Sequence, residues 1–270
     1  MTLTQETSAD ARSGDRQKHT GWALGLPVLR IVLVAAASGL TWSLVRAVAP
    51  GVAFPPPAVL ASVAMLPVNI VCLLLVARLL HRDGMTVRAV LGLQRGRLLR
   101  DALWGLLWIV VLYLPFVGTI MLVMFALHGG ETFERFEVVF FDPAAVPDLP
   151  AMVWLVIGIV AVLTFAPLNA PAEELVYRGF SQGRLARVWP PILALLVPAV
   201  LFGLQHLLYA PTPEAALVFA AAFFVWGLGS GVIYLRQRRL MPLVFAHGLV
   251  NLLFTLPALA IPFLQPLNGA

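Results

Sequence analysis

The chain is poor in residues that soluble proteins use freely. Only 11% of its 270 residues are charged, and it has one cysteine, Cys72, and one lysine, Lys18, beside 17 arginines. A lone cysteine excludes an internal disulfide and a zinc site built from several cysteines. With 60% hydrophobic residues and a mean hydropathy of +0.92, the composition is far from that of a soluble globular domain. Lipid is the predicted solvent, and membrane lipids are the first predicted partners.

Apolar runs of membrane-spanning length recur along the whole sequence, and a span needs roughly 20 such residues. Because lipid offers no hydrogen bonds, spans of this kind are helical. The predicted fold is therefore all-α, a polytopic transmembrane bundle of about seven to eight spans. A polar tail over residues 1–21 is predicted to be disordered and cytoplasmic, and residues 22–270 to form one transmembrane domain. The spans cover about residues 22–48, 57–80, 102–127, 151–170, 191–209, 215–235 and 240–264.

The loop charges indicate orientation and compartment. Residues 81–100 contain five arginines, whereas residues 131–148 contain five acidic residues and one arginine. Cytoplasmic loops carry the excess of basic residues, so the first loop and the N-terminus are predicted to be cytoplasmic. The net charge of +5 is spread over loops and not gathered in one patch, which argues against nucleic acid as a partner. The arginine-rich, lysine-poor composition favours a bacterial plasma membrane.

Two acidic residues stand apart from the rest. Of thirteen Asp and Glu residues, eleven lie in the tail, in loops or at span edges, which leaves Glu173 and Glu174 embedded. A charge at membrane depth costs several kcal/mol at least and is usually paired and functional. Glu174 and Arg178 share a helical face at i, i+4, so a structural ion pair is the alternative for Glu174. It does not explain Glu173.

Three more polar residues lie in later apolar runs, namely His206, His247 and Asn251. With the Glu pair they supply a general base, an acid and an oxyanion donor. A turn at residues 189–191 would return the chain so that Glu173 and His206 both rise about 24 Å and line one cytosol-facing cavity. Residues 151–189 would then make about 57 Å of helix, too long for one span, and Pro167 and Pro171 are the predicted break points.

Three motifs carry a resemblance to a known family. Residues 173–179 read EELVYRG and resemble an EExxxR motif, residues 202–206 read FGLQH and resemble FxxxH, and residues 247–251 read HGLVN and resemble HxxxN. These are the motifs of the CPBP family of CAAX proteases and bacteriocin-processing enzymes, also called Abi or type II CAAX prenyl endopeptidases. The resemblance covers about residues 151–251, the predicted protease core.

The resemblance implies an intramembrane endopeptidase that cleaves a peptide or a membrane-anchored protein. Glu173 and His206 would activate water, His247 and Asn251 would stabilise the oxyanion, and Glu174 with Arg178 would support the site. The family has been classed both as metalloproteases and as glutamate proteases. Glu173, His206 and His247 could hold zinc, although the metal-free mechanism is favoured. Glu173→Gln is expected to abolish cleavage with little change in stability.

Of two alternatives to this interpretation, one is rejected and one stays open. Residues 179–183 spell GxSxG, but that elbow requires a strand before the serine, so Ser181 is rejected as nucleophile, and Gly179 and Gly183 are predicted to allow close helix packing. The second alternative is a membrane protein without catalysis, such as a bacteriocin-immunity protein or a proton- or ion-coupled transporter, since buried Glu and His serve transporters too.

Overall fold

The structure is a computed structural model that describes the backbone of residues 3–260 and the side chains of residues 20–260. Within those residues no strand is present, and the all-α prediction is confirmed. Seven segments are long and apolar enough to cross a membrane, as the sequence predicts. The predicted disordered tail, residues 1–21, falls almost entirely on residues whose side chains lie outside that description and stays a prediction.

The helices follow one another with short connections. The N-terminal half contains α1 (Leu3–Val48), α2 (Ala58–Arg82), the short α3 (Val87–Leu91), α4 (Leu98–His128) and α5 (Thr132–Phe140). The C-terminal half contains α6 (Ala151–Glu173), a π-helical segment (Glu174–Gln182), the single turn α7 (Gly183–Leu185), α8 (Pro191–Gln205), α9 (Pro213–Gln237) and α10 (Met241–Thr255). A 3-10 turn, His206–Tyr209, extends α8.

Apolar side chains cover the outside of the bundle, and polar ones lie within it. Leu99, Leu114 and Phe125 of α4 and its flank are largely exposed, as expected where lipid replaces water around the protein. Arg30, Asn69, Gln205 and Glu174 are fully buried. A buried polar group in lipid must find its partners inside the protein. Hydrogen bonds and ion pairs join these residues and four others into what we call the interior polar cluster, which consists of Arg30, Asn69, Asn169, Glu173, Glu174, Arg178, Gln205 and His247.

The prediction that the chain breaks at Pro167 and Pro171 is wrong. Helix α6 continues through both prolines to Glu173. Each proline lacks an N–H, but packing against neighbouring helices makes such residues tolerable in membrane spans. The winding changes instead at Glu174, where nine residues form the π-helical segment. π-helical turns are rare in proteins, and those that occur are often found at functional sites.

Glycines bring the helices together near the interior cluster. A Cβ on Gly203 of α8 would lie 2.6 Å from the carbonyl oxygen of Ala220 in α9. A Cβ on Gly105 of α4 would lie 2.8 Å from the Cβ of Phe245 in α10. No side chain fits at either crossing, so small residues set the approach of these helix pairs. The first crossing also brings Phe223 of α9 against His206.

Candidate active site

The two adjacent glutamates lie where α6 passes into the π-helical segment. Glu173 is 2% exposed and Glu174 is fully buried. Successive residues of a helix point in directions about 100° apart. The two carboxylates therefore face different neighbours, and each has to be compensated by its own set of partners.

Glu173 is held through one of its two oxygens. Nη2 of Arg30 donates to Oε1 at 3.0 Å, and Nε2 of Gln205 donates to the same oxygen at 2.6 Å. The other oxygen, Oε2, lies 3.4 Å from Nε2 of His247 and accepts no hydrogen bond from residues 20–260. One oxygen is thus fixed by a cation and an amide, and the second is free to accept a proton.

Arg30 is the centre of a network that the sequence analysis missed. Its guanidinium is fully buried and donates to Gln205 Oε1 at 3.0 Å, to Asn69 Oδ1 at 2.9 Å and to Asn169 Oδ1 at 2.8 Å. The network joins α1, α2, α6 and α8. The signal was visible, because an arginine eight residues inside the apolar run 22–48 is as costly in lipid as an embedded glutamate.

Glu174 has local partners and one distant one. Nη1 of Arg178 donates to Oε1 at 3.3 Å, so the predicted i, i+4 ion pair is present. Nδ1 of His247 lies 3.0 Å from the same oxygen, and because a carboxylate oxygen only accepts, Nδ1 carries the hydrogen. His247 therefore lies between the two carboxylates. The Arg178 guanidinium also covers the ring of Phe202 at 4.4 Å.

His206 and Asn251 are also buried inside the bundle. Nδ1 of His206 donates to the carbonyl oxygen of Phe202 at 2.7 Å, since a carbonyl can only accept. In the neutral ring Nε2 then carries the lone pair. The ring stacks on Phe223 with centroids 3.5 Å apart. The Nδ2 group of Asn251 is buried and has no hydrogen-bond partner within the described part of the chain, so a strong donor is left for another molecule.

Residues 152–253 match the family model described as type II CAAX prenyl endopeptidase Rce1-like. The chain carries an Rce1-like domain. The resemblance that the three motifs indicate is thereby confirmed, and the domain's family is one of CAAX-type intramembrane proteases. No curated protein and no solved structure matches the chain. Because seven segments of the described residues are long and apolar enough to cross a membrane, the protein is an integral membrane protein.

The Rce1-like domain does not contain the whole polar cluster. It holds all six residues that the sequence predicts for the site, which are Glu173, Glu174, Arg178, His206, His247 and Asn251. Arg30 in α1 and Asn69 in α2 lie outside the matched segment. The charge that compensates Glu173 thus comes from a part of the chain in which no motif was recognised.

The zinc set considered for the Rce1-like domain does not fit the arrangement of its side chains. Among residues 20–260 no three His, Cys, Asp or Glu side chains are grouped so that they could hold a metal ion. Of the three candidates Glu173, His206 and His247, the first already has the Arg30 guanidinium on one oxygen. A cation at this position would lie next to Arg30, which repels it.

Ser181 of the GxSxG pattern lies in the π-helical segment of the Rce1-like domain. It is fully buried, and its hydroxyl has no hydrogen-bond partner in the described residues. A Cβ on Gly179 would come within 2.7 Å of Val90, so this glycine does allow close packing. A Cβ on Gly183 would meet nothing nearer than 3.7 Å. The close-packing prediction is therefore wrong for Gly183, because the helices leave ordinary contact distance there.

Proposed function

We propose that the protein is an intramembrane endopeptidase that hydrolyses a peptide bond with a water molecule activated by Glu173. The observation that carries the proposal is the asymmetry of this carboxylate. Oε1 is held by Arg30 and Gln205, and Oε2 is buried without a hydrogen bond beside His247. A general base needs an oxygen that is fixed in place and still free to take a proton. The Rce1-like domain supports the same reaction class.

The proposed reaction begins with water between Glu173 and His206. Oε2 of Glu173 takes a proton from the water, while Nε2 of His206 accepts its other hydrogen and orients it. The water oxygen attacks the peptide carbonyl carbon, and the carbonyl oxygen becomes negative. The tetrahedral intermediate then collapses, the C–N bond breaks, and the leaving nitrogen takes the proton that Glu173 received.

The negative oxygen is stabilised by His247 and Asn251. Glu174 accepts the Nδ1 hydrogen of His247, which orients the ring so that Nε2 faces Glu173. In the doubly protonated form of the ring, His247 keeps its Nδ1 hydrogen on Glu174 and donates its Nε2 hydrogen to the oxyanion, together with the free Nδ2 group of Asn251. Donors of this kind contribute roughly 10²- to 10³-fold each to turnover. Glu174 and Arg178 act by holding this histidine and do not touch the substrate.

The proposed substrate is a peptide segment close to a membrane anchor, reached from the cytoplasmic side. The arginine-rich loop after α2 supports that orientation. Arg239, which follows α9, donates to the carbonyl oxygen of Gly92 in the same loop at 3.0 Å. The two basic loops therefore lie at one end of the bundle. A bacterial peptide or membrane-anchored protein is the expected substrate, and prenylated proteins are not.

The test measures cleavage of a quenched, membrane-anchored peptide library by purified protein in detergent. Glu173→Gln is expected to lower turnover by roughly 10²- to 10⁴-fold, the range for loss of a general base. Glu214→Gln is the matched control, because that carboxylate is 54% exposed and, among residues 20–260, pairs only with His128. Equal turnover by wild type and Glu173→Gln would refute the role of Glu173, and chelator and added zinc are separate arms.

Turnover has to be expressed per folded molecule. The expectation that Glu173→Gln leaves stability unchanged is corrected by the ion pair with Arg30, because the substitution leaves a buried guanidinium without its counter-charge. Folded fractions are therefore measured for each variant by denaturation in the same detergent. If the wild type cleaves nothing, ion flux in vesicles decides whether the transporter alternative holds.

A further inference from the structure

A cavity lined by three arginines lies apart from the proposed active site. Its volume is about 390 Å³, and its walls come from the π-helical segment, α7, the ends of α2 and α9 and the start of α8. None of the six predicted site residues lines it. The volume is in the range of sites for small ligands. The cavity belongs to the Rce1-like domain on one side and to α2 and α3 on the other.

Three arginines line this cavity, and they have few partners. Arg184 is 6% exposed and pairs with Asp83, but its Nε is buried without a hydrogen-bond partner in the described residues. Arg187 and Arg238 are exposed, and Nη2 of Arg187 lies 3.9 Å from the sulfur of Met85. Neither Arg187 nor Arg238 has a carboxylate of residues 20–260 within ion-pair distance. The cavity therefore has an uncompensated positive charge.

The remaining walls are largely apolar, with Leu80, Val90, Ala194 and Leu235 among them. The cavity also lies at the end of the bundle where several helices begin or end. Helix α2 ends at Arg82, α9 ends at Gln237, and α8 begins at Pro191. Residues at the ends of spans lie where hydrocarbon gives way to headgroups and water. A ligand that fits must be anionic at one end and apolar at the other.

We propose that this cavity binds the phosphate headgroup of an anionic membrane lipid. Arg187 and Arg238 contact the phosphate, Arg184 adds its free Nε, and the first methylenes of the lipid lie against Leu80 and Val90. Guanidinium groups match phosphate oxygens in charge and shape, and basic pockets between spans are typical places for such headgroups. A phospholipid and inorganic phosphate would present the same phosphate group to the arginines. The apolar walls favour the lipid, because only the lipid has an apolar part to place against them.

The test measures binding of single lipids to the full chain purified in a neutral detergent, by native mass spectrometry. The probes are phosphatidylglycerol, phosphatidylcholine and inorganic phosphate. The variant Arg187→Gln/Arg238→Gln is compared with Arg95→Gln/Arg97→Gln, which removes two exposed arginines from the neighbouring loop, outside the cavity. Both variants change the net charge by the same amount, and neither pair belongs to the proposed catalytic machinery.

Wild type is expected to retain phosphatidylglycerol in preference to phosphatidylcholine. Loss of one arginine near a headgroup corresponds to about fivefold in affinity, so the cavity variant should bind phosphatidylglycerol about 25-fold more weakly. The loop variant should change by less than about twofold, because its charges are distant and screened. A ligand that binds only the folded protein stabilises it. Phosphatidylglycerol should therefore raise the melting temperature of wild type more than that of the cavity variant, which binds it more weakly.

Three results would overturn the proposal. Equal retention of phosphatidylcholine would remove the need for an anionic headgroup. An equal loss in the two variants would mean general surface charge and no site. Inorganic phosphate that displaces phosphatidylglycerol and depends on the same arginines would assign the cavity to a soluble phosphate ligand. None of these measurements uses peptide cleavage, so their outcome is independent of the protease proposal.

Discussion

Glu173 and Glu174 are neighbours in sequence, but their carboxylates pair with arginines from different parts of the chain. Glu174 is compensated locally, by Arg178 four residues later at 3.3 Å. Glu173 is compensated across the bundle, by Arg30 of α1 at 3.0 Å, 143 residues away in sequence. The local pair follows from helix periodicity, whereas the distant pair follows only from how the helices pack. The first span therefore supplies the counter-charge of Glu173, as the motif residue Arg178 supplies that of Glu174.

The two carboxylates also differ in what lies beside the oxygen that each leaves free. Both have a buried Oε2 without a hydrogen-bond partner among residues 20–260. Oε2 of Glu173 lies 3.4 Å from Nε2 of His247, at the place where the proposed water is activated. Glu174 uses its other oxygen, Oε1, for both Arg178 and His247. The position beside Nε2 of His247 therefore supports Glu173 as the proposed base and Glu174 as the group that orients the ring.

The largest effect on stability is expected from Arg30→Gln. The substitution leaves Glu173 as a buried carboxylate without its cation and also loses hydrogen bonds to Asn69 and Asn169. Breaking a buried pair from one side costs about 3 to 5 kcal/mol, and the four-helix network places this loss near 5 kcal/mol. Denaturant-induced unfolding in detergent measures it.

A double variant separates charge from packing. Arg30→Gln/Glu173→Gln removes both charges, so it should be more stable than Arg30→Gln alone, with a coupling of about 1 to 3 kcal/mol in the mutant cycle. Arg46→Gln is the control on the same helix, because this arginine is exposed and stacks only on Trp42. An additive cycle would show that Arg30 and Glu173 do not stabilise each other.

A smaller loss is expected for the local pair. Arg178→Ala should lower the free energy of unfolding by about 3 kcal/mol, the low end of the range for a broken buried pair. His247 still donates to Glu174 when Arg178 is gone, so the carboxylate keeps one partner. The same unfolding measurement, on variants prepared in the same detergent, gives the value.

The chain offers a matched control for this local pair. Arg135 and Glu131 have the same i, i+4 spacing but are about half exposed, with N and O 3.6 Å apart. Arg135→Ala should cost between 0 and about 1 kcal/mol, as exposed pairs do. A loss for Arg178→Ala no larger than that of Arg135→Ala would mean that Glu174 does not depend on this arginine.

The spans and motifs were predictable because their signals are local. A span is a run of apolar residues, and the Glu174–Arg178 pair is one helical turn. The Arg30–Glu173 contact depends on which helices meet, and no local pattern contains that information. The helix through Pro167 was mispredicted for a related reason, because packing against neighbouring helices, which no local pattern contains, lets α6 continue to Glu173.

The sequence was sufficient to name candidate site residues, but it did not predict which of their side chains are in contact. The sequence named Glu173, His206, His247 and Asn251 as site residues, and all four are buried in the structure, where Glu173 and His247 are in contact. It did not predict that His247 lies between both carboxylates, 3.0 Å from Glu174 and 3.4 Å from Glu173. A histidine at i, i+4 from Asn251 indicates a shared face. Only the packing of α10 against α6 decides what that face meets.

The smallest effect is expected for Ser181→Ala, and its smallness is informative. Ser181 lies in the same π-helical segment as Glu174 and Arg178, within a GxSxG pattern. It is fully buried and its hydroxyl is unpartnered in the described residues, so no base is placed to take its proton. Removing a buried hydroxyl without a partner is close to neutral for stability. Turnover of the anchored peptide should stay within about twofold of wild type, against the roughly 10²- to 10⁴-fold loss for Glu173→Gln. A loss of similar size in Ser181→Ala would move the nucleophile to the serine and reduce Glu173 to the ion-pair partner of Arg30, which would erase the functional difference between the two glutamates.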